Sequence, residues 1–266
     1  MRTFLRAAAL AALALAVPLA SAAMGAQAAV APTSFRPPAA HVVRVFRNTV
    51  HSTNWSGYAV SGTTKFSDVV GTWTEPTATC SGSGDEYASF WVGIDGYSSS
   101  SVEQLGTDSD CVGSTPSYYG WYEMYPANSV NLGSKYPVKP GDRLTAEVKA
   151  TGTTFTLSMT SSEGWAFSIT KTSSTAKRSS AEWVVESPEI CSSSCSIAEL
   201  ADFGKLTFAN AEAAAGGGAD EPISSFTAKN GPHRIIMTAA DKTTIRSKPS
   251  KLTANGEGFT TRWEHS

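Results

Sequence analysis

Glu182 and Glu186 stand four residues apart in the run Ala181-Glu182-Trp183-Val184-Val185-Glu186. The alternation predicts a β-strand, and successive side chains of a strand point to opposite faces. Glu182, Val184 and Glu186 therefore share one face, and Ala181, Trp183 and Val185 the other. Two carboxylates on one strand face are either a solvated surface or acid–base machinery. The machinery has two forms. Paired acids flank a glycosidic bond in glycosidases, which here would couple Glu182 with Glu186 or Glu123. In peptide hydrolysis a carboxylate activates water while a hydrogen-bond donor meets the developing oxyanion.

Other chemistries find less support. Of His41, His51, His233 and His265, the first two lie in or beside an N-terminal segment that reads as a linker or pro-segment. There is no Gly-x-Ser-x-Gly elbow and no His-Glu-x-x-His zinc helix. No glycine-rich phosphate loop follows a strand. Asp108 and Asp110 could touch calcium, but in a predicted loop they read as solvated acids. The four cysteines are Cys80, Cys111, Cys191 and Cys195. An even count in an exported chain favours disulfides. Cys191 and Cys195 bracket three serines and close a small loop, which leaves Cys80 for Cys111. A zinc site is the alternative, but no histidine lies near either pair and the spacing is not that of a zinc ribbon. The expectation is no metal, no cofactor and no free thiol nucleophile.

The elements that must position these groups are strands. Arg143 to Thr170 holds three alternating sets, Leu144/Ala146/Val148, Phe155/Leu157/Met159 and Trp165/Phe167/Ile169, separated by turns at Gly152 and Glu163-Gly164, and predicts an antiparallel meander. Strands are also predicted at 55–60, 67–74, 87–95, 102–106, 118–125, 206–209, 234–238 and 259–263, with 213–219 read as a flexible loop. Many short strands without helices make an all-β, two-sheet antiparallel sandwich. In the 87–95 strand, Ala88, Phe90, Val92 and Ile94 form an apolar face, while Tyr87, Ser89, Trp91 and Asp95 form a polar and aromatic one. Trp121 and Glu123 likewise oppose Tyr122. One sheet thus presents aromatic and acidic side chains on a face suited to an extended peptide or sugar chain.

Residues 1–28 carry Arg2 and Arg6, an apolar run from Ala7 to Leu19 and Ala-Ser-Ala and Ala-Gln-Ala cleavage patterns, the pattern of a secretory signal peptide. The apolar run is short for a membrane span, so the expected product is secreted, with no membrane association after cleavage. Residues 29–50, with Pro32, Pro37 and Pro38 and the charges Arg36, Arg44 and Arg47, read as a linker or short pro-segment, one that could cover an acidic cleft. Residues 51–266 are the domain, long enough for one all-β unit. Removing residues 1–28 leaves 19 basic against 23 acidic residues, a net charge of −4, which argues against nucleic acid as a partner. A monomer is expected.

Six motifs occur in order: Asn54-Trp55-Ser56-Gly57-Tyr58, Phe90-Trp91-Val92-Gly93-Ile94-Asp95-Gly96, Glu103-Gln104-Leu105-Gly106, Trp121-Tyr122-Glu123-Met124-Tyr125-Pro126, Ala181 to Glu186, and Leu200-Ala201-Asp202-Phe203-Gly204. Together they resemble the glutamic peptidases, the eqolisin family (peptidase family G1), over nearly the whole chain from Asn54. The resemblance implies a sandwich related to the concanavalin A/legume-lectin jelly roll and an acid endopeptidase acting on polypeptides. It implies a dyad of Glu182, as general base and then general acid, and Gln104, as donor to the oxyanion. It places Trp55, Trp91, Asp95 and Tyr122 along the substrate site, and strand geometry adds Glu186 nearby. Gln104 cannot titrate, and an exposed glutamate has a pKa of about 4.3, so the expected optimum is acidic. The competing readings are a lectin-like module stacking sugars on Trp91, Tyr87 and Tyr122, and a two-carboxylate glycosidase.

Overall fold

The computed structural model describes residues 35–36, 48–191 and 194–266. The leader and most of the 29–50 segment lie outside the described residues. The principal strands are β1 Trp55–Ser61, β2 Phe66–Thr74, β3 Ser89–Ile94, β4 Val102–Val112, β5 Thr115–Tyr125, β6 Arg143–Thr151, β7 Thr154–Ser161, β8 Ala166–Thr172, β9 Ser180–Glu186, β10 Lys205–Ala215, β11 His233–Thr238, β12 Ile245–Pro249 and β13 Phe259–Trp263. Among the described residues the helical elements are two single 3₁₀ turns, and no helix is long and apolar enough to cross a membrane.

The strands form two layers. The first runs Val130–Asn131, β5, β4, β3, β9, β1, β11, β12, β13 and the N-terminal half of β10. The second runs β8, β7, β6, β2, the C-terminal half of β10 and Glu221–Pro222. β10 belongs to both layers and joins them at one edge. These pairings are antiparallel, as the alternating sequence requires of sheets with one buried face. Thr49–Ser52, which the sequence reading placed partly in the linker, pairs parallel with β11. Phe35–Arg36 pairs antiparallel with Glu189–Cys191.

The core lies between the layers. Phe90, Val92 and Ile94 of β3, Leu105 of β4 and Ala181, Trp183 and Val185 of β9 meet Leu144, Ala146 and Val148 of β6 and Phe155, Leu157 and Met159 of β7. The alternation in each strand assigns these residues to the same side, and burying that side is the main force holding the sandwich together. Trp183 is fully buried and donates its indole N–H to the Val70 carbonyl in the opposite layer at 2.7 Å. Both expected disulfides form, Cys80–Cys111 and Cys191–Cys195.

Three elements differ from the sequence reading. β4 continues through Thr107 and Ser109 to Val112, so Asp108 and Asp110 stand in a buried strand and not a solvated loop. Polar residues persist inside the sandwich because Glu75 accepts hydrogen bonds from the Thr107 and Ser109 hydroxyls at 2.5 and 2.7 Å. Ala213–Ala215, read as loop, belong to β10 and pair with β2. β12, whose charged residues break the apolar alternation, is fixed by pairing between β11 and β13.

Replacing Trp183 with alanine removes the largest inter-layer contact of β9 and one hydrogen bond. The expected loss is about 3–5 kcal/mol of folding stability, read as a lowered urea midpoint with an unchanged slope.

Candidate active site

The outer face of the first layer is a grid whose rows are set by strand register. In one row, His233, Ala59, Glu182, Gly93, Gln104 and Glu123 pair across β11, β1, β9, β3, β4 and β5. The next row on this face holds Ile235, Gly57, Val184, Trp91, Gly106 and Trp121. The one beyond holds Trp55, Glu186, Ser89, Asp108 and Tyr119. Directly paired antiparallel residues share a face, so each row points outward together. Val50, Trp55, Ala59, Trp91, Val102, Trp121, Val184 and Ile235 form a second apolar cluster on this side, separate from the inter-layer core.

Gly93 gives the first row its character. Glu182 and Gln104 are two strands apart, which sets their backbones about 10 Å from each other, and the position between them has no side chain. A Cβ at Gly93 would lie 3.0 Å from Gln104 Cβ and 3.1 Å from the Trp91 ring. In the next row Gly106 has the same role for Trp91, because a Cβ there would sit 2.6 Å from Trp91 Cβ. The Trp91 ring therefore leans over Gly93, edge-on to Trp55 with ring centroids 4.9 Å apart.

Glu182 is fully buried and accepts one hydrogen bond, from the Tyr97 backbone N–H to Oε1 at 3.3 Å; its Oε2 has no partner. Burial pushes its pKa well above the ordinary carboxylate range, and repulsion from Asp95 and Glu103 adds to this. Gln104 is also buried. Its Nε2 donates to Glu123 Oε2 at 2.6 Å, while Gln104 Oε1 and Glu123 Oε1 lack partners. Burial likewise holds the Glu123 carboxyl well above its usual range, with a further push from Glu186 and an opposing pull from the Gln104 hydrogen bond. The expectation of an exposed, ordinarily titrating Glu182 gives way to a desolvated one.

The remaining residues divide by what they touch. Glu186 has both oxygens engaged, Oε1 by Asn54 Nδ2 at 3.1 Å and Oε2 by Trp91 Nε1 at 2.8 Å. The Trp55 indole nitrogen lies near this carboxyl without completing a hydrogen bond, and burial raises the Glu186 pKa to about 8. Asp95, at φ 73°, accepts the backbone N–H groups of Lys177, Arg178 and Ser179 and the Ser179 hydroxyl. It anchors the segment that leads into β9, and its acceptor sites are taken. Tyr122 is on the other side of the sheet, in the inter-layer core and stacked on Phe167, so it is not brought to Glu182. The aromatic that β5 does place on this face is Trp121, whose indole donates to Asp108 at 2.6 Å. Sequence reasoning weighed Glu123 only as the second acid of a glycosidase and not as a partner of Gln104. Its same-face relation to Trp121 was the available signal, but only the pairing of β4 with β5 brings it to Gln104.

Among the described residues, the grouping of metal-ligating types close enough to share an ion is Glu189, Cys191 and Cys195, and its sulfurs are bonded to each other, so it offers no thiolate. The grid itself offers something else: a carboxyl and a neutral amide in one row, separated by a glycine over which the Trp91 ring lies, in a low-dielectric setting where hydrogen bonds to a developing charge are strongest.

A sequence model of the peptidase A4 family matches residues 53–251. The chain is 32% identical to aspergillopepsin-2 of Aspergillus niger over 194 residues, covering 64% of this chain and 67% of that protein. The fold matches scytalido-glutamic peptidase, solved with a transition state analog inhibitor, with a TM-score of 0.68 at 22% identity over 80% of this chain and 98% of that one. It also matches aspergilloglutamic peptidase from Aspergillus niger, with a TM-score of 0.54 at 27% identity over 67% of this chain and 99% of that one.

The buried acids set how stability depends on pH. Glu186, Glu75 and Glu103 are raised to about 8 and Asp108 to about 7. Each binds its proton more tightly folded than unfolded, so its contribution is complete below the unfolded pKa of about 4 and is lost as pH rises through the folded value. Thermal melts should give the highest midpoint near pH 4 and a steady fall up to pH 8, about 2–4 °C for each kcal/mol lost. Glu186→Gln should make that fall shallower.

Proposed function

This chain belongs to the peptidase A4 family and is a glutamic-type peptidase, and from that premise we propose that Glu182 and Gln104 are its catalytic dyad. The observation that carries the proposal is their shared row across Gly93, with Glu182 Oε2 and Gln104 Oε1 left unpartnered on a buried face. In the proposed reaction the Trp91 ring, which leans over Gly93, moves aside to admit a water and the scissile carbonyl between the dyad groups. Glu182, ionised, takes a proton from the water as its oxygen bonds to the carbonyl carbon. The carbonyl oxygen gains negative charge and receives a hydrogen bond from the Gln104 amide N–H. Glu182 then passes its proton to the amide nitrogen as the C–N bond breaks, leaving a carboxylic acid and an amine. Trp91 and Trp55, stacked edge to face beside this position, form an apolar wall for the substrate backbone.

A two-carboxylate glycosidase fits less well. Glu186 lies four residues along β9 from Glu182, about 13 Å by backbone, and both of its oxygens are hydrogen-bonded. The lectin-like alternative loses Tyr122, which is in the core.

Both dyad groups are buried, so a polypeptide reaches them only when the face is uncovered. Water entering the site removes part of the desolvation that dominates the Glu182 shift and brings its pKa down toward acidic values. The proposed enzyme is a secreted, monomeric acid endopeptidase with a leader at 1–28. Of the basic 29–50 segment, Thr49 and Val50 belong to the domain itself, through the pairing of Thr49–Ser52 with β11 and the burial of Val50, so the proposed maturation cut that exposes the acidic face falls before Thr49.

The test is digestion of denatured haemoglobin at acid pH by the matured enzyme. Glu182→Gln should lower kcat by about 10²–10⁴ and Gln104→Ala by about 10²–10³, with unchanged circular dichroism. Gly93→Leu, which drives a side chain against Gln104 and the Trp91 ring, should abolish turnover. Full activity in either dyad variant would refute the mechanism.

A further inference from the structure

Three atoms of the central row lack partners, and two of them belong to the contact between Gln104 and Glu123. A primary amide has nearly the same shape when its oxygen and nitrogen are exchanged, so its orientation is fixed by its neighbours' donor and acceptor character. With Nε2 donating to Glu123, the Glu123 carboxylate acts as acceptor and Gln104 presents its oxygen elsewhere in the buried row. That orientation cannot serve an oxyanion, since it sets one lone-pair acceptor against another. The reversed orientation is available only if Glu123 supplies a hydrogen.

We infer that Glu123 is a positioning residue that sets the orientation of the Gln104 amide: protonated, it donates to Gln104 Oε1 and turns Nε2 toward the reacting carbonyl; ionised, it holds Nε2 and turns the oxygen there. The inference rests on the dyad reading above. The productive state then carries its charge on Glu182 and its proton on Glu123, on either side of Gly93 and Gln104 in one row. The groups acting on Glu123 favour this. From β4 it faces Gln104, which is neutral, with Asp108 farther along the same strand face; from β9 it faces Glu186, whose repulsion disfavours a second negative charge. On β5 itself its same-face neighbours are Trp121, whose indole is directed to Asp108, and Tyr125, which packs against the outer cluster. Complete burial of Glu123 acts in the same sense.

Loss of the Glu123 proton therefore ends activity as pH rises, and the alkaline limb of kcat belongs to Glu123. The experiment compares kcat–pH profiles at saturating peptide for the wild type, Glu123→Gln and Glu123→Leu. The glutamine substitution keeps a permanent N–H donor for Gln104 Oε1. It should retain the acid-pH kcat within about threefold while its alkaline limb moves up by about one pH unit or more. The leucine substitution should lower kcat about tenfold to hundredfold with little change in KM. An alkaline limb in Glu123→Gln that coincides with the wild type would overturn the inference. Should that variant not fold, the Gln104 side-chain amide signal of the wild type, assigned by its loss in Gln104→Glu, decides the matter. It should shift with the same midpoint as the alkaline limb, and an amide that does not respond across that limb overturns the inference equally. Wild-type kcat in Gln104→Ala would refute the dyad and this inference together, whereas an inactive Gln104→Ala beside an unshifted Glu123→Gln refutes only the role of Glu123.

Discussion

A one-residue slip of β9 against either neighbour would turn Trp183 outward and Glu182 into the inter-layer core. Strand alternation makes register an all-or-none matter, and here both faces of β9 enforce it. On the inner face Trp183 is buried against the second layer and tied to Val70. On the outer face Val184 belongs to the cluster with Trp55, Trp91 and Trp121. Asp95 adds a third constraint by binding three successive backbone N–H groups just before the strand begins. The row joining Glu182 to Gln104 through Gly93 is thus a by-product of packing energy spent elsewhere, which is how an otherwise costly arrangement of buried acids holds its geometry.

The cost is visible in how the acids of the outer face are satisfied. Glu186 is held by an amide and an indole, Asp108 by an indole, Asp110 by a phenol and a backbone N–H, and Asp95 by backbone and hydroxyl donors. Burial pushes the Glu186, Asp108 and Asp110 carboxyls up, and the neutral donors pull them back only in part because they bring no cation. In the central row this pattern stops. Glu182, Gln104 and Glu123 each retain an atom without a partner, and buried polar atoms left unpaired in a native fold call for a functional reason. The contrast between satisfied and unsatisfied acids on one face separates supporting groups from reacting ones better than their shared chemistry does.

What could be read from the sequence followed from period-two alternation and from motif order. Alternation placed Glu182, Val184 and Glu186 together, placed Trp91 opposite Phe90, and set Gln104 on the face of Val102, because it is a property of one strand at a time. It could not supply register between strands. That is why Glu123 was weighed only as a second acid and not as the partner of Gln104, although Gln104 is only nineteen residues away, in the neighbouring strand. It is also why Asp95 was placed among substrate-binding residues when its oxygens are taken up by a segment more than eighty residues later. The extension of β4 through Thr107 and Ser109 was hidden because a polar residue in a core face is explained only by its partner, here Glu75 from the end of another strand. Tyr122 shows motif and alternation in conflict: the motif set it at the site, while the alternation already opposed it to Trp121 and Glu123.

In the proposed mechanism the oxyanion donor is a neutral amide, and this surrounding favours one. A lysine or arginine between Glu182 and Glu123 would form ion pairs with both, lower both pKa values and fix both carboxyls in the ionised state. Its donors would be spent on those carboxylates before a substrate arrived. An amide has no charge to neutralise, so the two flanking carboxyls can stay in different protonation states, one as base and the other as donor. Its two ends also differ in hydrogen-bonding sense, so the same group can report the state of one carboxyl to the reacting carbonyl beside the other. The desolvated face that raises these pKa values thus favours a neutral, reversible donor, and Gln104 stands between the two carboxyls, paired with Glu123 on one side and with Gly93, the neighbour of Glu182, on the other.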